Sequence, residues 1–192
     1  MNTTGKPIVE SVKNNIVASI RGTGEVANAV IDTVSGTLVH TVKSTGAVGS
    51  ALTTTVSDIL RGAIWGTAQV GGDMGAAAKG AVVGVLRGTK EVGVEGTDAI
   101  STSARAVVKG AAELGSDVGI AARSAVEGAI EGAKQVGLDA GQAASAAATG
   151  ALRGAGEISQ EAVEQVRKTA TGVIAGVTVM VKEPFRKEPP QP

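Results

Sequence analysis

The sequence predicts an all-α protein made of 22-residue, Gly/Ala-rich amphipathic helical repeats, arranged as one long helix, a hairpin or a bundle. Three observations carry that reading. Cutting the chain at residues 19, 41, 63, 85, 107, 129, 151 and 173 brings like residues into register. The second place of each unit holds Ile20, Val42, Ile64, Leu86, Val108, Ile130, Leu152 and Ile174. The fourth holds Gly22, Ser44, Gly66, Gly88, Gly110, Gly132, Gly154 and Gly176, and the eighth Val26, Val48, Val70, Val92, Leu114, Val136, Ile158 and Met180. Next, two elevens make the repeat, and eleven residues close almost three helical turns at about 3.67 residues per turn. Lastly, on that wheel the apolar and small residues share one arc of about 160°, and nearly all the charge lies opposite.

The alternative is a parallel β-solenoid, whose coils can be of similar length. Such coils need β-branched runs with two-residue alternation and turn clusters. Ala104-Arg-Ala-Val-Val-Lys-Gly-Ala-Ala-Glu-Leu114 and Gln142-Ala-Ala-Ser-Ala-Ala-Ala148 supply neither. Thr33, Thr37, Thr41 and Thr53 to Thr55 make the early units the weakest helical stretch.

In chain order, residues 1–18 read as a lead-in segment and 19–181 as the helical repeat region. Residues 182–192 read as a disordered Pro-rich tail after a helix stop before Pro184, with Phe185 set among Lys182, Arg186 and Lys187. One unbroken helix over the repeats would extend roughly 230 Å; a hairpin or bundle fits the pattern equally.

With 28 glycines, one Trp, one Phe and no Tyr in 192 residues, the chain has few large side chains for a deep core. A thin structure in which each repeat touches its neighbours fits that composition. Glycine inside helices costs roughly 0.8–1 kcal/mol each relative to Ala, so close packing or a surface must offset it. The spacing points to packing: Gly62/Gly66, Gly84/Gly88, Gly128/Gly132, Gly150/Gly154 and Gly172/Gly176 form i,i+4 pairs, a zipper-like flat stripe that a partner backbone can approach. A second column, Gly49, Gly71, Gly93, Gly115 and Gly137, lies toward the other edge of the apolar arc. The competing reading is that glycines break the helix into short pieces joined by turns.

Acids occupy the seventh and eleventh places: Glu25, Glu91, Glu113 and Glu157, then Asp73, Glu95, Asp117, Asp139 and Glu161. Bases such as Arg21, Lys43, Arg87, Lys109 and Arg153 line the opposite edge of the polar face. Arg21/Glu25, Arg87/Glu91, Lys109/Glu113 and Arg153/Glu157 are also i,i+4 pairs, worth a few tenths of a kcal/mol each; Glu127 and Glu131 break the pattern. Opposed edges either specify side-by-side association or form an ordinary solvated face. Trp65 stands where most other units carry Arg or Lys, which places it on the polar face as an interfacial anchor or a tolerated exposed aromatic.

No catalytic constellation is expected. His40 is the single histidine and sits in a Gly/Ala column. Gly22-Thr-Gly24 and Gly154-Ala-Gly156 do not complete a dinucleotide fingerprint, and Gly75-Ala-Ala-Ala-Lys-Gly80 lacks the hydroxyl of a phosphate loop. Carboxylates recurring every eleven residues are about 16 Å apart, too far to share a cation. The expectation is a non-enzyme with no cofactor and no metal. The zero net charge argues against nucleic acid. No signal peptide or transmembrane stretch is recognised, so a cytoplasmic location, or one peripheral to a membrane, is expected.

Gly88-Thr-Lys-Glu-Val92 and Arg167-Lys-Thr-Ala-Thr-Gly-Val173 resemble the Lys-Thr-Lys-Glu-Gly-Val repeat of synucleins, and the eleven-residue period is similar to that of perilipins and exchangeable apolipoproteins. The resemblance implies a helix lying on a lipid surface. This chain departs from it in lacking lysines on both flanks of the apolar face and in lacking bulky anchors. The leading functional expectation is therefore a non-catalytic structural protein whose Gly/Ala-faced helices pack on each other, within the chain or between copies. The second is a peripheral lipid-surface coat using Ile64, Leu86, Val108 and Ile130. A third is an ice-binding or protectant helix, prompted by Thr23, Thr45, Thr67 and Thr89.

Overall fold

The computed structural model describes residues 5–181. Eight helices occur in that span: α1 (Gly5–Thr23), α2 (Val26–Thr45), α3 (Ser50–Gln69), α4 (Met74–Glu91), α5 (Gly96–Glu113), α6 (Val118–Val136), α7 (Ala140–Gly156) and α8 (Gln160–Thr169). Two short strands, β1 (Gly172–Ile174) and β2 (Val177–Val179), follow as an antiparallel hairpin. The protein is all-α apart from this hairpin, and no β-solenoid is present among the described residues. The tail expected at 182–192 lies outside them.

Each repeat is one helix plus one turn, which removes the single-helix option. The turns share a chemistry that the eleven-residue wheel hides: an apolar residue, a glycine, a spacer and an acid. Val70-Gly71-Gly72-Asp73, Val92-Gly93-Val94-Glu95, Leu114-Gly115-Ser116-Asp117 and Val136-Gly137-Leu138-Asp139 are the four full examples. The glycines take φ of +65°, +71°, +66° and +82°, which an L side chain adopts only with strain. Beyond all four glycines the next amide folds back on the helix: Gly72 N–H donates to Thr67 O, Val94 N–H to Thr89 O, Ser116 N–H to Ala111 O and Leu138 N–H to Ala133 O. This Schellman closure satisfies carbonyls that the helix end leaves open. The acid then starts the next helix, Asp73, Asp117 and Asp139 accepting from the amides of Ala76, of Gly119 and Ile120, and of Gln142.

The second glycine column is thus a set of turn residues rather than a packing edge: Gly71, Gly93, Gly115 and Gly137 close helices, and Gly49 precedes α3 as its N-cap. Gly49, Gly71, Gly93, Gly115 and Gly137 all have positive φ, and an added Cβ would meet nothing within 4 Å at any of them. The reading that glycines divide the helix holds for this column.

Helices α1, α3, α5 and α7 lie side by side in one layer, and α2, α4, α6 and α8 in the other. Glycine contacts show that neighbours within a layer run parallel: Gly62 and Gly66 of α3 meet Val9 and Lys13 of α1, while Gly80 and Gly84 of α4 meet Ala27 and Ile31 of α2. Short turns reverse the chain between layers. The core lies between the layers and takes in the whole second column from Ile20 to Leu152, with Ile64, Leu86, Val108 and Ile130 at most 1% exposed. Toward the C-terminus it becomes alanine. Ala143, Ala144, Ala147, Ala148, Ala151 and Ala155 form the buried face of α7, which lets α6 and α7 approach closely.

Both ends of the repeat region differ from expectation. The lead-in is already helical from Gly5, with Val12, Ile16 and Ile20 buried on α3 and α2. The last unit does not continue as helix: α8 stops at Thr169, and Gly172 and Gly176 lie in the hairpin with φ of +90° and +79°. The β-branched run Val173, Ile174, Val177, Thr178 and Val179 favours strand over helix. Ile174 and Val179 fold into the core, whereas Val173 and Met180 stay exposed. The hairpin covers α7 and touches α6, at the place in the stack where a further helix would otherwise lie.

Candidate functional site

No cluster of three or more His, Asp or Glu side chains suited to a metal occurs among the described residues. His40 is exposed on α2. The distinctive feature is instead the set of seams between parallel helices of one layer, with the charges that run along their outer rims.

Four of the five glycine pairs read from sequence lie in these seams. A Cβ built on Gly62 would fall 2.6 Å from Val9 O and one on Gly66 2.8 Å from Lys13 O. Gly84 would place it 2.8 Å from Ile31 O, Gly128 2.5 Å from Lys79 O, and Gly154 2.9 Å from Arg105 O. At Gly150 it would overlap Ser101 O outright, and at Gly132 it would run into the Leu86 side chain at 2.6 Å. Gly88 is looser, its nearest neighbour being Leu38 Cδ2 at 3.0 Å. Such contacts leave no room for a methyl group. The sequence reading missed Gly80, whose Cβ would lie 2.7 Å from Ala27 O; it stands one turn before Gly84 and extends that stripe. Gly172/Gly176, in the hairpin, belong to no seam.

The acids reach across these seams rather than along their own helices. Glu91 pairs with Lys43 at 3.0 Å, Glu113 with Arg61 at 3.1 Å, and Glu157 with Lys109 at 2.7 Å and with Arg105. Glu131, an exception to the sequence pattern, pairs with Lys79 at 2.6 Å, and Glu127 with Arg123 on its own helix at 3.1 Å. Arg87 Nε donates to Gln135 Oε1 at 2.9 Å. The basic rim of one helix therefore faces the acidic rim of the next but one. The Lys109 hydrogen bond, aided by the charge of Arg105, holds the Glu157 carboxyl below its ordinary pKa.

Where α3 meets α5 the pattern changes. The first stripe place on α5 is Ala106, and Gly110 meets only the Ile64 side chain, at 3.3 Å from the Cβ position. A groove of about 230 Å³ opens there, lined by Ser57, Asp58 and Arg61 on α3 and Thr102, Arg105 and Lys109 on α5. It adjoins a second hollow of about 220 Å³ through Thr53 and Thr102, toward Glu95 and Asp98. Burial raises the Asp58 carboxyl above its ordinary pKa, against the opposing pull of Arg61.

Trp65 is not a free surface aromatic. Its ring is half-buried against the core, the Arg61 guanidinium sits 4.8 Å from the ring centroid, and Nε1 is enclosed without a hydrogen-bond partner. The threonine column is not one surface either. Thr67 and Thr89 are buried, while Thr23 and Thr45 are exposed. Their hydroxyls donate to helical carbonyls, Thr67 to Ala63 O at 3.0 Å and Thr45 to Thr41 O at 2.7 Å. Among the described residues, no helix is long and apolar enough to cross a membrane.

Comparison with protein-family models and with curated proteins finds no match for this chain.

Proposed function

We propose that the chain is a non-catalytic structural protein, a self-contained scaffold whose partner for its Gly/Ala-faced helices is the chain itself. The observation that supports it is the seating of Gly62, Gly66, Gly80, Gly84, Gly128 and Gly154 on backbone carbonyls of the same chain. Used in this way, these stripe glycines are already occupied by neighbouring helices of the same chain. The two ends agree with that reading. The faces of α1 and α2 turned away from the stack carry Ser11, Asn14, Asn15, Asp32, His40 and Ser44, all exposed and none of them large and apolar. At the other end α7 is covered by α8 and the hairpin, although Val173 and Met180 of that segment stay exposed. Polar or covered end repeats keep a stack from growing further.

The lipid-coat reading needs Ile64, Leu86, Val108 and Ile130 at a surface, and in this fold they face the interior. Circular dichroism combined with light scattering on a sizing column, with and without anionic vesicles, separates the readings. The scaffold predicts strong helicity in plain buffer and a single species near 18.8 kDa, neither changed by vesicles. A chain that is unfolded in buffer and becomes helical on vesicles would establish the coat. A helical oligomer that Leu at Gly88, Gly132 and Gly154 breaks into folded monomers would establish packing between copies.

A further inference from the structure

We infer that the seam between α3 and α5 is a compliant joint between the α1–α4 and α5–α8 halves of the molecule, and that Ala106 sets it. The other long seams, α1/α3, α2/α4, α4/α6 and α5/α7, each carry at least two stripe glycines against the preceding helix. At α3/α5 the methyl group of Ala106 stands where Gly62, Gly84, Gly128 and Gly150 stand elsewhere. The helices are held apart, Gly110 loses the backbone contact that Gly66 and Gly154 make, and the polar groove opens along the gap. In the layer beneath, the α4/α6 seam stays shut, with Gly128 on Lys79 O.

One layer is therefore locked and the other gapped at the same level of the stack. Rotation about the α4/α6 contact widens or narrows the α3/α5 gap while the glycine seams α1/α3, α2/α4, α4/α6 and α5/α7 stay closed. The ion pair spanning the gap, Arg61 with Glu113, is about half exposed on the arginine side and holds it weakly. A joint of this kind lets the two halves change their relative tilt while each keeps its packing.

The chain has no cysteine, so pairs of spin labels can be placed without background. Thr54, Asp98 and Gln142 are equivalent exposed positions on α3, α5 and α7. Labels at 54/98 read the gapped seam and labels at 98/142 read a closed one. The joint predicts a broader distance distribution for 54/98 than for 98/142. Ala106→Gly should narrow the 54/98 distribution and shorten its mean by about 1–2 Å, the spread of interaxial distances between packed helices, leaving 98/142 unchanged. Gly150→Ala, the converse change, should broaden 98/142. Equal widths at both seams in the parent protein, or a 54/98 distribution indifferent to Ala106→Gly, would overturn the inference. Should Ala106→Gly fold poorly, the width comparison and the Gly150→Ala variant still decide it.

Discussion

Two glycines of this chain, both helical and both in the repeat, have opposite worth. Gly36 on α2 is exposed, and a Cβ there would meet nothing within 4 Å. Gly36→Ala should therefore stabilise the protein by up to about 1 kcal/mol, through helix propensity and a less free unfolded chain. Gly128 gains the same propensity, but its Cβ would sit 2.5 Å from Lys79 O. Separating α6 from α4 to make room should leave Gly128→Ala less stable by about 1–3 kcal/mol, the usual cost of overpacking. Urea midpoints of the two variants check the pair, and a gain at both positions would contradict the close seams. What distinguishes them is the neighbour, which no single residue reveals.

A helix in this protein is defined as much by its ends as by its faces. Asp73, Asp117 and Asp139 each accept backbone amides at the first turn, whereas Glu95, in the same place of its unit, makes no side-chain capping bond. Its extra methylene carries the carboxylate past the amides that an aspartate reaches. Asp139→Ala should cost about 1 kcal/mol, and Glu95→Asp should return a comparable fraction of that. Thermal unfolding of both variants reads the difference. The acid column was plain in the sequence, as was the glycine column two places before it. Folding both onto a continuous wheel hid that together they spell a stop and a start. The same wheel carried the last unit on as helix, although Val173, Ile174 and Val177 to Val179 already held a strand composition.

Across the whole molecule, charge ties helices that are far apart in sequence. Glu157 is bound by Arg105 and Lys109, and its folded pKa is lowered. A lowered carboxylate pKa contributes stability above the unfolded value, near 4.5, and that contribution is lost as the pH falls through the folded value. Glu157→Gln should therefore destabilise the α5/α7 seam by under about 1 kcal/mol at neutral pH, since the pairs are partly exposed. The difference from the parent should shrink as the pH falls below the unfolded value and vanish in acid below the folded value, where both side chains are neutral. Urea midpoints at neutral pH and in acid test this, and a deficit that persists in acid would mean that the carboxylate charge is not what ties the seam.

Repeat length, helical class and the apolar second column are legible in the linear pattern. All of these follow from periodicity, because a face that must be buried repeats with the helix. That each repeat is a separate helix, and that the glycines meet the helix two units back, emerges only from how the chain packs. So do the acid pairs across a seam, the partial enclosure of Trp65 and the groove beside Ala106. Those facts depend on which residues become neighbours after the chain reverses. A reversal set by a few residues of turn chemistry leaves the period of the pattern almost untouched.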